Sequence, residues 1–249
     1  MSRSYLAKNV QALKPSGIRK FFDLASKMDN VISLGVGEPD FVTPWNVIEA
    51  SYHSLEQGYT AYTANAGLLE LREEISKYLL KEFNLTYQAE SQILVTVGAS
   101  QAIDLALRSI LEPGDEVVVV EPSFVSYSPA VTLAGGKAIP VSATADHEFK
   151  IQAEQLEAVI TSKTKAVVLC SPNNPTGTVL NKDELEQIAN VVKQHDLLVI
   201  SDEIYAELSF DEKAISIASI PGMEERTIVV SGFSKAFAMT GWRLGYACG

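Results

Sequence analysis

Cysteine, histidine and long apolar runs are all scarce in this sequence of 249 residues. The only cysteines, Cys170 and Cys248, form no CxxC pair, and a chain able to bury a large core needs no disulfide scaffold, so a reducing, cytoplasmic setting fits. His53, His147 and His195 show no metal-ligand spacing and no GxSxG occurs, which ranks metal catalysis and a serine triad low. Basic residues are outnumbered, 20 Lys and Arg against 31 Asp and Glu. The net charge of −11 argues against an electrostatic footprint for nucleic acid or anionic lipid. The longest apolar runs, such as 116–120 and 197–200, are strand-length and far short of a membrane span. Acids are missing from the first 22 residues, where Arg3, Lys8, Lys14, Arg19 and Lys20 precede Asp23. That balance has a likeness to a transit peptide, but without an apolar h-region it reads as an arm leading into a helix around 18–28, with mitochondrial targeting a minor alternative.

What is present is the material of an α/β domain. At 47% hydrophobic and 20% charged the chain belongs with globular proteins rather than disordered ones. From about Gln92 a short apolar run, a turn rich in Gly, Pro, Asn or Ser, and a helical stretch alternate repeatedly. Strands are predicted at 93–97, 116–120, 138–141, 166–169, 197–200, 227–230 and 243–247. Helices are predicted at 100–110, 126–133, 153–160 and 182–194 from apolar spacing of three and four residues. Asn181 followed by Glu184 reads as a capping box. Before Gln92, helices near 44–56 and 67–83 flank a loop at 59–66.

Ligands of open parallel sheets bind beyond the carboxyl ends of the strands, and several chemistry-bearing residues fall there. Lys235 follows an apolar strand, where a desolvated amine can form a Schiff base with a carbonyl, and Arg243 downstream can hold a phosphate. Alone, Lys235 reads as a surface lysine in a loop. Gly98-Ala99-Ser100-Gln101 opens a helix whose first amides can cradle an anion, although Ser100 can equally be only a helix cap. Asp202 ends a very apolar strand and requires a cationic or hydrogen-bonding partner; a pyridinium N–H, a salt bridge and an N-cap all answer. Asn174, in a turn enforced by Pro175 and Gly177, aims an amide at the same crevice or makes an Asx-turn. Phe124 can stack on a ring or belong to the core. The joint pattern matches the division of labour around pyridoxal phosphate, with the cofactor as electron sink and protein groups setting its orientation.

Six motifs in order carry a resemblance: SLGVGEPDF (33–41), YTAYTANAGLLELR (59–72), VTVGASQA (95–102), CSPNNPTG (170–177), SDEIYAEL (201–208) and SGFSKAFAMTGWRLGY (231–246). From about Ser16 to Gly249 the chain resembles the class I, fold-type I pyridoxal-phosphate aminotransferases of the aspartate and aromatic aminotransferase group. The resemblance implies a three-layer α/β/α large domain over 31–249 with a mostly parallel seven-stranded sheet whose last strand is an antiparallel insertion. Residues 1–30 would form the arm and part of an incomplete small domain. It implies that Lys235 carries the cofactor and moves the substrate Cα proton, and that Asp202 pairs with the pyridinium nitrogen. Tyr205 and Asn174 would reach the phenolate oxygen and Phe124 would stack on the ring. Ala99, Ser100, Gln101, Ser234 and Arg243 would meet the phosphate, Gly37 and Asn174 the substrate, and Tyr62 the phosphate of a neighbouring subunit in a homodimer.

Two departures stand out. Gly232 lies where many relatives carry a phosphate-binding serine, and the sequence ends before the small-domain segment whose arginine binds the substrate carboxylate. The implied activity is ping-pong transfer of an amino group between an L-amino acid and a 2-oxo acid, with no metal. Rival readings are a β-lyase on the same scaffold, a non-enzymatic cofactor-binding module, and an inactive fragment that only binds cofactor. The short stretch before Ser33 and the acidic balance oppose a module fused to a DNA-binding unit.

Overall fold

A computed structural model describes residues 4–13, 17, 24, 27–28, 31–32 and 37–249. Apart from residues 24, 27 and 28, the helix expected around 18–28 lies outside the described residues, as do residues 33–36 of the first motif and much of the arm assigned to 1–30.

The described elements are α1 (Lys8–Ala12), α2 (Trp45–Glu56), α3 (Leu69–Phe83), β1 (Ile93–Thr96), α4 (Ala99–Ile110), β2 (Glu116–Glu121), α5 (Tyr127–Leu133), β3 (Lys137–Ser142), α6 (Ala153–Glu157), β4 (Thr164–Cys170), α7 (Lys182–Gln194), β5 (Leu198–Asp202), β6 (Thr227–Gly232) and β7 (Gly245–Cys248). The strands form one seven-stranded sheet in the order β1-β7-β6-β5-β4-β2-β3. Strands β3, β2, β4, β5 and β6 are parallel neighbours, and β7 runs antiparallel between β6 and β1. The expected α/β class and the antiparallel last strand are both observed.

Side-chain alternation along the strands divides the core into two layers. Val117, Val119, Ala166, Val168, Ile200 and Val230 pack with Ala102, Ile103, Ala106 and Leu107 of α4 and with Val131 of α5. Val118, Val167, Leu169 and Val199 face the other way, onto Leu156 of α6 and Leu185, Ile188, Ala189 and Val192 of α7. Each such fully buried Val, Leu or Ile contributes about 1.5–3 kcal/mol. Helix α7 starts where the sequence marks it: the Glu184 N–H donates to Asn181 Oδ1 at 3.0 Å, and the Asn181 N–H donates to Glu184 Oε2 at 2.7 Å. A third cluster joins α3, through Ile75 and Leu79, to Ile93, Val229, Tyr246 and Cys248.

Among the boundaries that differ from expectation, three stand out. Helix α4 is capped by Gly98 rather than by Ser100, with φ of +76° at Gly98, a conformation that costs glycine little. Ser100 therefore lies in the first turn. Arg243, expected inside the last strand, instead precedes it with φ of +58°, reversing the chain from the turn Thr240–Trp242 into β7. Helix α6 ends at Glu157, short of the predicted residue 160. Among the described residues no helix is long and apolar enough to cross a membrane.

Candidate active site

The carboxyl ends of β2, β4, β5 and β6 open into one cleft of about 1290 Å³. Its lining includes Gly37, Ala99, Ser100, Phe124, Asn174, Asp202, Tyr205, Ser234, Lys235 and Arg243. Residues spread over 200 positions of sequence are thus brought together by strand order. Gln101 and Tyr62 are not part of this lining. Gln101 turns its side chain back, Oε1 accepting the Val97 N–H at 2.6 Å, and Tyr62 is fully exposed.

Asp202 forms the floor. It is 4% exposed at the end of β5, where Oδ2 accepts the Tyr127 hydroxyl at 2.6 Å and Oδ1 accepts the Ile204 N–H at 3.2 Å. Burial pushes its carboxyl above the usual range, while these two donors pull it down. Tyr127 is the residue that sequence reasoning missed. It is 2% exposed at the start of α5, and its ring meets Phe124 edge-on at 5.6 Å. A single tyrosine at helical spacing reads as core; the available signal was a phenol three residues beyond Phe124, in the segment after β2.

Lys235 stands on the cleft wall, half-buried in the loop after β6. Its Nζ donates to the Gly37 carbonyl and lies 5.7 Å from the centre of the Tyr205 ring. Burial lowers the lysine pKa from 10.5, Glu38 opposes that shift, and the Arg243 guanidinium adds to it. Asn174 Nδ2 donates to the Tyr205 hydroxyl at 3.2 Å, so the amide and the phenol are held as a pair. The turn-making role belongs to its neighbour: the Asn173 N–H donates to the Thr178 carbonyl, and Nδ2 bonds Pro122 O and Thr176 Oγ1. Burial raises the thiol of Cys170, at the end of β4, to about 12, which keeps it unreactive.

The far end of the cleft is built on close backbone approach. A Cβ placed on Gly245 would come within 2.5 Å of the Gly98 carbonyl carbon and 2.6 Å of the Ala99 nitrogen. One on Gly98 would come within 2.5 Å of the Arg243 guanidinium. Those two glycines let β7 and Arg243 lie directly against the start of α4, where backbone N–H groups and a guanidinium together favour an anion. Arg243 is oriented by donating to the Thr240 carbonyl at 2.8 Å. A side chain at position 232 has no room, because its Cβ would lie 2.9 Å from Gly245 Cα and from the Leu244 carbonyl oxygen. Gly232 thus fits the close approach of β6 to β7. Among the described residues no cluster of His, Cys, Asp or Glu is placed to hold a metal.

The sheet order and this cleft define the architecture of pyridoxal-phosphate-dependent transferases, and comparison with known proteins makes the assignment specific. The family model described as aminotransferase class I and II matches residues 29–249. An aminotransferase homologue of Bacillus subtilis, YugH, is 63% identical over 244 residues, covering 98% of this chain and 63% of that protein. An aspartate aminotransferase of Pyrococcus abyssi is 49% identical over 97% of this chain and 62% of its own length. The crystal structure of an aromatic aminotransferase from Pyrococcus horikoshii superposes with a TM-score of 0.87 at 47% identity, covering 93% of this chain and 62% of that one. The chain belongs to the class I and II aminotransferase family, whose members are pyridoxal-phosphate-dependent. It spans about 63% of the length of the curated relatives it matches.

Proposed function

We propose that this chain is the cofactor-binding part of a pyridoxal-phosphate-dependent aminotransferase, which moves an amino group between an L-amino acid and a 2-oxo acid by a ping-pong mechanism. The observation that carries this reading is the convergence on one cleft of a desolvated lysine, a buried aspartate and an anion cradle. The residues fit the cofactor. Asp202 is a buried carboxyl with no cation against it among the described residues, which suits a pyridinium N–H. The Gly98-Ala99-Ser100 start of α4, with Ser234 and Arg243, suits a phosphate.

When bound, pyridoxal phosphate supplies an electron sink for the electron pair left at the substrate Cα. The chain's own residues divide the remaining work. Lys235 Nζ, its pKa lowered by burial, stands where it can take the proton from Cα and return it. Asp202 sets a carboxyl at the cleft floor, oriented by the Tyr127 hydroxyl. The Asn174–Tyr205 pair presents an amide and a phenol at the level of Lys235, and Phe124 offers a ring for stacking. Gly37, whose carbonyl accepts from Lys235, would contact the substrate carboxylate through its backbone N–H.

We further assign residues 31–249 to the large domain and 1–30 to the arm and part of the small domain, in a cytoplasmic homodimer. Support for the dimer is the exposed apolar surface of Trp45, Tyr52, Leu55, Tyr59 and Tyr62, with Tyr62 reaching the neighbouring subunit. The test follows both half-reactions of the protein by absorbance: an amino acid alone converts the cofactor and releases one oxo acid, and a second oxo acid restores it. Oxo acid release that continues without an amino acceptor contradicts the reading and favours a β-lyase.

A further inference from the structure

Behind the lysine loop, on the opposite face of the sheet from Asp202, lies a second cavity of about 260 Å³. Its walls include Tyr78 of α3, Glu203, Glu207, and the rings of Phe233, Phe237 and Tyr246. No lysine, arginine or histidine lines it, yet three carboxylates do, Glu74, Glu203 and Glu207. Glu203 is the unusual one. It is 5% exposed, and its Oε1 accepts both the Ser201 hydroxyl at 2.8 Å and the Ser216 hydroxyl at 2.6 Å. Its Oε2 accepts no hydrogen bond from the described residues and is not among their fully enclosed unpaired atoms, so it keeps surface that a ligand can reach.

The remaining acids are engaged: Lys77 Nζ donates to Glu74 Oε1 at 2.7 Å from outside the cavity lining, and the Tyr78 hydroxyl donates to Glu207 Oε1. The aromatic walls are mutually packed, with Phe233 5.5 Å from Phe237 and 6.0 Å from Tyr246. An apolar, ring-lined space with a buried carboxyl and no basic residue is complementary to an organic cation, which rings attract through their quadrupoles and a carboxylate through its charge.

We propose that this cavity is a binding site for a small alkyl- or quaternary ammonium ion, with Glu203 as its counter-charge and Tyr78, Phe233, Phe237 and Tyr246 as its aromatic walls. The site is separate from the cleft of Lys235 but shares its scaffold. Ser231, Phe233, Ala236 and Phe237 line the cavity from the chain segment that carries Lys235 on its other side.

The test uses choline, whose quaternary nitrogen cannot condense with an aldehyde, and its neutral carbon isostere 3,3-dimethylbutan-1-ol. Both are titrated calorimetrically at about pH 8.5, above the pKa of about 7 that burial gives Glu203, into protein saturated with pyridoxal phosphate, so that the main cleft is filled. Choline is expected to bind saturably at one site per chain, with the neutral isostere about tenfold weaker or more. Glu203→Gln keeps a carbonyl for the two serine hydroxyls and removes the charge, and should reduce choline affinity about tenfold. Phe237→Ala, on the half-open rim, provides a second reading should Glu203→Gln fail to fold, and is expected to weaken choline severalfold. Absence of saturable choline binding, equal affinity for the isostere, or undiminished binding in either folded variant would overturn the proposal.

Discussion

Asp202 and Glu203 are consecutive in sequence and almost equally buried, at 4% and 5% exposure, yet they serve different sides of the sheet. Asp202 faces the α4 and α5 layer, takes one phenol and one backbone N–H, and forms the floor of the large cleft. Glu203 turns to the other face, gathers two serine hydroxyls on one oxygen, and lines the smaller cavity. Burial raises both carboxyls; in Glu203 the Ser216 and Ser201 hydroxyls pull the other way and the charge of Asp202 adds a smaller rise, leaving it at about 7. The difference teaches that residue type and burial do not assign a role. The face on which a strand end presents the group does, because it decides which partners and which open space the charge meets.

The comparison can be broken most severely on the cleft side. Lys235→Ala is expected to lower amino transfer by about 10³-fold or more, because it removes both the covalent tether and the proton carrier. Steady-state rates on the protein check this, and a rate near wild type would contradict the site assignment.

On the other side, Glu203 makes stability depend on pH. Its folded pKa of about 7 exceeds the ordinary 4.5, so the folded state holds a proton that the unfolded state releases. Stability is therefore expected to fall as pH rises from about 4.5 to above about 7, by about 3 kcal/mol in total. The groups facing Glu203 are Ser201, Ser216, Glu74, Glu207, Tyr78 and Tyr246, with Asp202 next in sequence; none is a cation. Denaturant midpoints across this range for wild type and Glu203→Gln measure the effect, and the variant should lose most of the slope.

Tyr127→Phe sharpens the contrast from the Asp202 side. Removing the hydroxyl leaves a buried carboxylate oxygen without its donor, costing about 1–3 kcal/mol. Pyridoxal phosphate affinity should fall about tenfold, measurable by fluorescence titration, with the chain still folded. The smallest expected change lies away from both sites: Asn181→Ala removes the cap of α7 and should cost about 1 kcal/mol by denaturant midpoint, with no effect on either cavity.

Much of this was readable in advance. All seven strands and the helix spanning Lys182–Gln194 follow from apolar periodicity and a capping box, because those local signals agree with the tertiary packing. Lys235, Asp202, Asn174 and Arg243 were legible as strand-end polar groups and Tyr205 only through the family resemblance, and they do share one cleft. Tyr127 was not, since a lone tyrosine on a helix carries no mark of the carboxyl it will meet 75 positions later. Arg243 was misplaced into a strand because its left-handed φ is dictated by the approach of β7 to Gly98, a long-range contact. Glu203 was overlooked although period-two alternation in Ser201-Asp202-Glu203 puts Ser201 and Glu203 on the face opposite Asp202.

The central claim is that Lys235 is the lysine that holds the cofactor, on the Asp202 side of the sheet. Borohydride reduction of the protein with stoichiometric pyridoxal phosphate, followed by peptide mapping, tests it most directly. The account predicts one stable adduct, on Lys235, lost in Lys235→Ala. An adduct spread over the surface lysines, or unchanged trapping in that variant, would contradict it.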